Sequence, residues 1–94
     1  MSSIKTINPA TGEVLKEYPE MTSGEVSEII AQADKTFKEW RKKSFSERAK
    51  VLYNAARIMR ERKEELGKLC SIEMGKLHRE GIAEVELCAG IFEY

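Results

Sequence analysis

The chain has 94 residues, which is the size of one small domain. Lys and Arg number 16, as do Asp and Glu, so the net charge is zero, and no basic patch indicates a nucleic-acid or anionic-membrane partner. The apolar runs are too short for a membrane-spanning helix, and residues 1–20 lack the apolar core of a signal peptide, so we expect neither.

Residues 4–19 predict a β-hairpin, with strands near 4–8 and 13–19 joined by the turn sequence NPATGE. In this turn Asn8 can bond its own backbone, and Gly12 accepts a positive φ. A two-stranded hairpin is only marginally stable alone in water. We therefore expect this hairpin to lie on another part of the structure.

The first helix is predicted over residues 23–42. Thr22 and Glu25 fit a capping box, in which hydroxyl and carboxylate satisfy each other's backbone N–H groups. Apolar residues then repeat at the helical period along one face, and charged residues occupy the rest. The apolar face comprises Val26, Ile29, Ile30, Ala33, Phe37 and Trp40. Trp40, near the helix end, is expected to anchor the helix by packing.

A second helix is predicted over residues 46–61, with Ser44 or Ser46 as its N-cap and one buried stripe. The stripe comprises Ala49, Leu52, Tyr53, Ala56 and Met59. The polar sequence RERKEE, at 60–65, either continues this helix through a solvated kink or divides it from a third helix at 63–74.

The fourth helix is predicted over residues 78–94, and its apolar side chains cover more than one face. They include Ile82, Val85, Leu87, Cys88, Ala89, Ile91 and Phe92. Little chain remains to cover them, which indicates part of a larger structure. We expect the fourth helix to mediate self-association between copies, because soluble monomers rarely expose so many apolar side chains together. The predicted fold is mainly α with a short amino-terminal β-hairpin.

The sequence SIEMGKLHREG contains a Gly-Lys pair that could belong to a phosphate-binding loop. A P-loop requires G-x-x-x-x-G-K-[ST], but Leu77 follows Lys76, and the nearest upstream glycine, Gly67, is too distant. Gly75 is therefore interpreted as a left-handed C-cap that ends the third helix. Lys76 suits the negative end of the helix dipole.

No catalytic, cofactor-binding or metal-binding residue is assigned in the chain. His78 is the single histidine, has charged neighbours and is expected at the surface. Cys70 and Cys88 lack C-x-x-C spacing, which favours reduced structural thiols and a cytoplasmic location. Glu84 and Glu86 point away from each other on a helix, so they form no acid–base pair.

The whole chain resembles the amino-terminal region of the aldehyde dehydrogenase superfamily, in the segments INPATGEVL, ADKTFKEWRKKSFSERAKVLYNAARIMRERKEEL and IEMGKLHREGIAEVELCAGIFEY. The characteristic residues are Asn8-Pro9-Ala10-Thr11-Gly12, Trp40, Glu47-Arg48, Glu73-Met74-Gly75-Lys76, and Glu84-Val85 in a helix that runs to a tyrosine. The sequence EMGK is similar to members that act on succinate semialdehyde and related small aldehydes.

This resemblance implies an α/β enzyme with a Rossmann-type cofactor domain, which oxidises aldehydes to acids with NAD or NADP through a cysteine nucleophile and a glutamate base. The family's nucleophile and base motifs match neither Cys70 nor Cys88 nor any glutamate here, and the catalytic and cofactor domains are expected after Tyr94. The chain is thus expected to be an inactive, truncated part without its own cofactor, whose partner is the remainder of the parent enzyme. The alternative is a stand-alone helical module that binds a partner protein through its last helix.

Overall fold

The chain forms a two-stranded hairpin followed by four helices in a computed structural model that describes residues 2–94. The elements are β1 (Ser3–Ile7), β2 (Val14–Pro19), α1 (Ser23–Trp40), α2 (Phe45–Glu61), α3 (Lys63–Met74) and α4 (His78–Glu93). This order confirms the mainly α fold with an amino-terminal hairpin that the sequence predicts.

The hairpin is built by its turn residues. β1 and β2 pair antiparallel, with a register irregularity between Thr6 and Ile7. The Asn8 side chain accepts a hydrogen bond from the Ala10 N–H at 2.9 Å, and Gly12 adopts a φ of 75°. β1 contacts α3, so the hairpin lies on the helices as expected from its small size.

Capping boxes begin both α1 and α2. The Thr22 hydroxyl accepts the Glu25 N–H at 3.1 Å, and the Glu25 carboxylate accepts the Thr22 N–H at 3.0 Å. Ser44 and Glu47 repeat this arrangement, with both bonds at 3.1 Å. The second box selects Ser44 over Ser46 as the N-cap, and α2 begins one residue earlier than predicted.

The end of α1 differs from its prediction, and the boundary between α2 and α3 decides between two predicted alternatives. α1 ends at Trp40 rather than at residue 42, because the N–H groups of Lys42 and Lys43 donate to the carbonyls of Glu39 and Trp40 in a tight turn. Arg62, with φ −105° and ψ 14°, separates α2 from α3. RERKEE therefore divides two helices and is not a kink within one.

α4 packs against α2 and α3 and forms the centre of the helical layer. The buried apolar side chains of the described chain are small ones: Ala56 of α2 and Val85 and Ala89 of α4. The predicted α2 stripe is only partly buried, since Leu52 and Tyr53 are exposed. The physical reason is that α1, the remaining helix, does not pack against α2.

The molecule is a thin, open layer that measures 47 × 37 × 15 Å, with a radius of gyration of 17.3 Å. A compact domain of this length has a radius of gyration of about 12 Å. The accessible surface is 7690 Å², whereas a folded monomer of 10.7 kDa exposes about 5,500 Å². The helices therefore do not close a core of their own.

Candidate functional site

The Gly-Lys turn joins α3 to α4 and meets the hairpin. Gly75 is left-handed, with φ 76° and ψ 15°, and its N–H donates to the Ser71 carbonyl at 2.9 Å. A Cβ added to Gly75 would lie 3.2 Å from Cγ of Pro9. Lys76 Nζ lies 3.2 Å from a carboxylate oxygen of Glu84. The predicted C-cap is confirmed, and the lysine beside it has a partner in α4.

Gly75→Ala is expected to reduce the free energy of unfolding by about 1 kcal/mol, because a residue with a Cβ pays to adopt a positive φ. Gly12→Ala is the matched control, since Gly12 has nearly the same φ, 75°, and its added Cβ would meet nothing within 4 Å. Thermal unfolding followed by circular dichroism measures both. An unchanged Tm for Gly75→Ala would contradict the C-cap. If Gly75→Ala loses more free energy of unfolding than Gly12→Ala, the difference measures the contact with Pro9.

α3 and α4 cross at two buried glycines that sequence reasoning did not identify as packing residues. A Cβ on Gly81 would lie 2.6 Å from the Gly67 carbonyl oxygen and 3.2 Å from Cβ of Cys70. A Cβ on Gly67 would lie 2.7 Å from Cγ1 of Ile82. Glycine destabilises the interior of a helix, so a glycine within a helical pattern usually has a packing reason. The positions of Gly67 and Gly81 in such patterns are therefore a signal of close packing in the sequence.

Charged residues of α2, α3 and α4 form one half-exposed cluster. The Arg60 guanidinium donates to both Glu93 oxygens, at 2.6 and 2.7 Å, and to Glu86 at 3.1 Å. Lys63 donates to the other oxygen of Glu86 at 3.2 Å. Hydrogen bonds from Lys63 and Arg60 lower the pKa of Glu86, and the bonds from Arg60 lower that of Glu93. Both carboxylates therefore hold helices together, whereas Glu84 pairs with Lys76.

The histidine and the two cysteines have different surroundings. His78 Nε2 is 3.1 Å from a Glu64 oxygen, and its ring is half-exposed, as the surface prediction requires. Cys70 and Cys88 are free and half-buried beside the contact of α3 and α4. Among residues 2–94, no group of three His, Cys, Asp or Glu side chains could hold a metal ion. In the same range no helix is long and apolar enough to cross a membrane.

The apolar face of α1 is uncovered, contrary to the packing that its sequence pattern predicts. Exposed fractions are 42% for Val26, 52% for Ile29, 64% for Ile30 and 56% for Phe37. No residue of α1 is buried, and the predicted anchor Trp40 is only half-buried. No other described element packs against α1, so the anchoring role of Trp40 stays a prediction.

α4 also has an uncovered side, but it is narrower than predicted. Val85 is buried, and Ile82 and Cys88 are half-buried, so these three residues are covered within the chain. Leu87 and Ile91 are 64% and 62% exposed on the other side of the helix. Self-association through this side of α4 stays a prediction, now restricted to the exposed residues.

Comparisons with known proteins give one consistent match. The family model described as Aldehyde dehydrogenase family matches residues 1–94. The succinate-semialdehyde dehydrogenase [NADP(+)] of Deinococcus radiodurans is 44% identical over 95% of this chain and 19% of its own length. The malonate-semialdehyde dehydrogenase of Lacticaseibacillus casei is 42% identical over 83% of this chain and 16% of its own length. The chain thus spans about a fifth of the length of these relatives.

Solved structures share the whole arrangement. The NADP-dependent glyceraldehyde-3-phosphate dehydrogenase of Bacillus halodurans C-125, complexed with NADP, gives a TM-score of 0.93 at 33% identity, over 98% of this chain and 19% of that chain. The glyceraldehyde-3-phosphate dehydrogenase of Methanocaldococcus jannaschii, also with NADP, gives 0.90 at 33% identity, over 96% and 20%. A superposition of this extent includes α1, so the separation of α1 from the other helices also occurs in much longer chains.

Proposed function

Because the chain belongs to the aldehyde dehydrogenase family, we propose that it forms the amino-terminal part of an NAD(P)-dependent oxidoreductase that converts a small aldehyde to its acid. The observation that carries this proposal is the 44% identity to a succinate-semialdehyde dehydrogenase [NADP(+)]. A second relative is named for malonate semialdehyde. Both names describe a short aldehyde with a carboxylate at its other end, so we propose succinate semialdehyde as substrate and NADP as the preferred cofactor.

We propose that the nicotinamide cofactor is bound outside the described residues, and we assign no catalytic step to them. Lys76, the cation beside the glycine turn, is paired with Glu84. The shallow depression along α1, between Ile29 and Trp40, is apolar and offers no cation for a phosphate. These observations support the proposal that the cofactor, the nucleophile and the base are supplied by protein outside this segment.

The contribution proposed for this segment is structural. The glycine crossing and the cluster around Arg60 hold α2, α3 and α4 together, and Pro9 contacts the turn at Gly75, which joins the hairpin to them. The resulting layer leaves one side of α1 and one side of α4 open. A stand-alone helical module is less well supported, because the arrangement matches that of much longer enzymes.

A chimera tests the proposal: this chain replaces the matching residues of the Deinococcus radiodurans enzyme. NADPH formation from NADP⁺ and succinate semialdehyde gives kcat/KM. We expect a value within about tenfold of the parent enzyme, which corresponds to about 1.4 kcal/mol of transition-state stabilisation. The same enzyme without the segment is the control and is expected to be inactive.

The isolated 94-residue chain is the second control. Calorimetry with saturating NADP⁺ is expected to show no binding, because the cofactor site is proposed to lie elsewhere. A soluble chimera without activity would contradict the proposed function. Micromolar binding of NADP⁺ by the isolated chain would contradict the assignment of the cofactor site to the rest of the enzyme.

A further inference from the structure

We propose that the apolar face of α1 is the docking surface for the remainder of the same enzyme polypeptide. This inference rests on the proposed function. The face consists of Val26, Ile29, Ile30, Ala33, Phe37 and Trp40.

The chemistry of this face indicates what covers it. Its six members are all uncharged and apolar, and the nearby charges Asp34 and Lys38 pair with each other at 3.2 Å. An apolar helix face of this width is normally buried, since most helix stability in proteins comes from packing of that face. The occupant is therefore an apolar protein surface, and it is not supplied by the described chain.

The chain exposes much more surface than a compact domain of its mass. The accessible surface of 7690 Å² exceeds that of a compact monomer of this mass by about 2,200 Å². A standard protein–protein interface buries about 800 Å² on each partner. One contact of this standard size with a second copy would leave most of the excess uncovered. A larger protein surface that packs against several helices of the layer accounts better for the excess accessible surface.

α1 has the same position in a much longer chain. The superposition on the Bacillus halodurans enzyme covers 98% of this chain but 19% of that chain. α1 therefore keeps its distance from α2, α3 and α4 even where the other four-fifths of an enzyme are present. The space beside the face is not filled by this segment's own helices, which assigns it to the remaining polypeptide.

The test compares two alanines of α1 in the chimera. Ala33 lies within the apolar face, whereas Ala31 is two residues away, about 200° around the helix. Both are exposed in this chain, so Ala33→Glu and Ala31→Glu make the same change in helix propensity and charge. We expect Ala33→Glu to lower the soluble dehydrogenase activity by at least about tenfold, because it places an unpaired charge in an apolar contact. Ala31→Glu is expected to stay within about twofold, as for ordinary surface substitutions.

The same two variants of the isolated chain provide the second readout. Their helix content by circular dichroism should be equal, because both alanines are exposed there. Equal activity of the two chimeras would overturn the docking surface, as would a loss of helix content specific to Ala33→Glu in the isolated chain. Sedimentation of the Ala33→Glu chimera as a smaller but active particle would assign the face to a second copy and also overturn the proposal. An inactive unsubstituted chimera would instead reject the proposed function.

Discussion

Gly81→Ala is expected to destabilise the isolated chain by about 2 kcal/mol, which corresponds to a fall in Tm of about 10 °C for a protein of this size. The new Cβ would lie 2.6 Å from the Gly67 carbonyl oxygen. That oxygen belongs to the backbone of α3, so it cannot rotate away as a side chain can. The two helices must separate, and the overpacking cost exceeds the roughly 1 kcal/mol that alanine returns through helix propensity.

Gly90→Ala is the matched control in the same helix. A Cβ at Gly90 would meet nothing within 4 Å. This substitution is expected to raise stability by about 0.5 kcal/mol, since it removes only the entropic cost of a helical glycine. Thermal unfolding by circular dichroism should therefore give shifts of opposite sign. A rise in Tm for both variants would show that α3 and α4 do not approach as closely as Gly67 and Gly81 indicate.

Trypsin is expected to cleave the isolated chain after Lys35 and Lys38 at least about tenfold faster than after Lys68, because cleavage within a helix requires local unfolding. All three lysines are exposed and helical. They differ in that Lys68 lies in α3, which packs against α4, whereas α1 lacks such packing. Most helix stability in proteins comes from tertiary packing, which the 18 residues of α1 lack in this chain.

Mass spectrometry of the first cleavage products measures these rates. Cleavage after Lys68 at the same rate as after Lys35 would mean that α1 is as stable as α3 without further contacts. The exposed side chains of α1 would then need no cover, and the docking surface would lose its energetic basis.

Local chemistry explains why the starts of α1 and α2 could be predicted from the sequence. Thr22 with Glu25, and Ser44 with Glu47, satisfy backbone groups three residues away, so each helix start depends only on adjacent sequence. The left-handed end of α3 at Gly75 is equally local. The division of α2 from α3 was ambiguous, because six consecutive polar residues fit a solvated kink and a break equally well.

Burial could not be predicted in the same way. A helical period identifies which face of α1 requires cover, but it carries no information on whether the cover lies within 94 residues. The same helical period predicts a buried stripe that includes Leu52 and Tyr53, yet both residues are exposed. The approach of Gly67 to Gly81 is a tertiary contact between segments that do not interact through local sequence. The contact of Pro9 with the turn at Gly75 is likewise set by the fold and not by spacing.

We propose that this segment is completed by the rest of an aldehyde dehydrogenase. Amide hydrogen exchange of α1, measured in the isolated chain and in the chimera, tests it most directly. We predict that α1 amides exchange almost freely in the isolated chain. In the chimera their protection should be at least about a hundredfold higher, because packing raises the free energy of local opening. α4, which packs against α2 and α3, should be protected in both. Equal protection of α1 in the two proteins would contradict the claim.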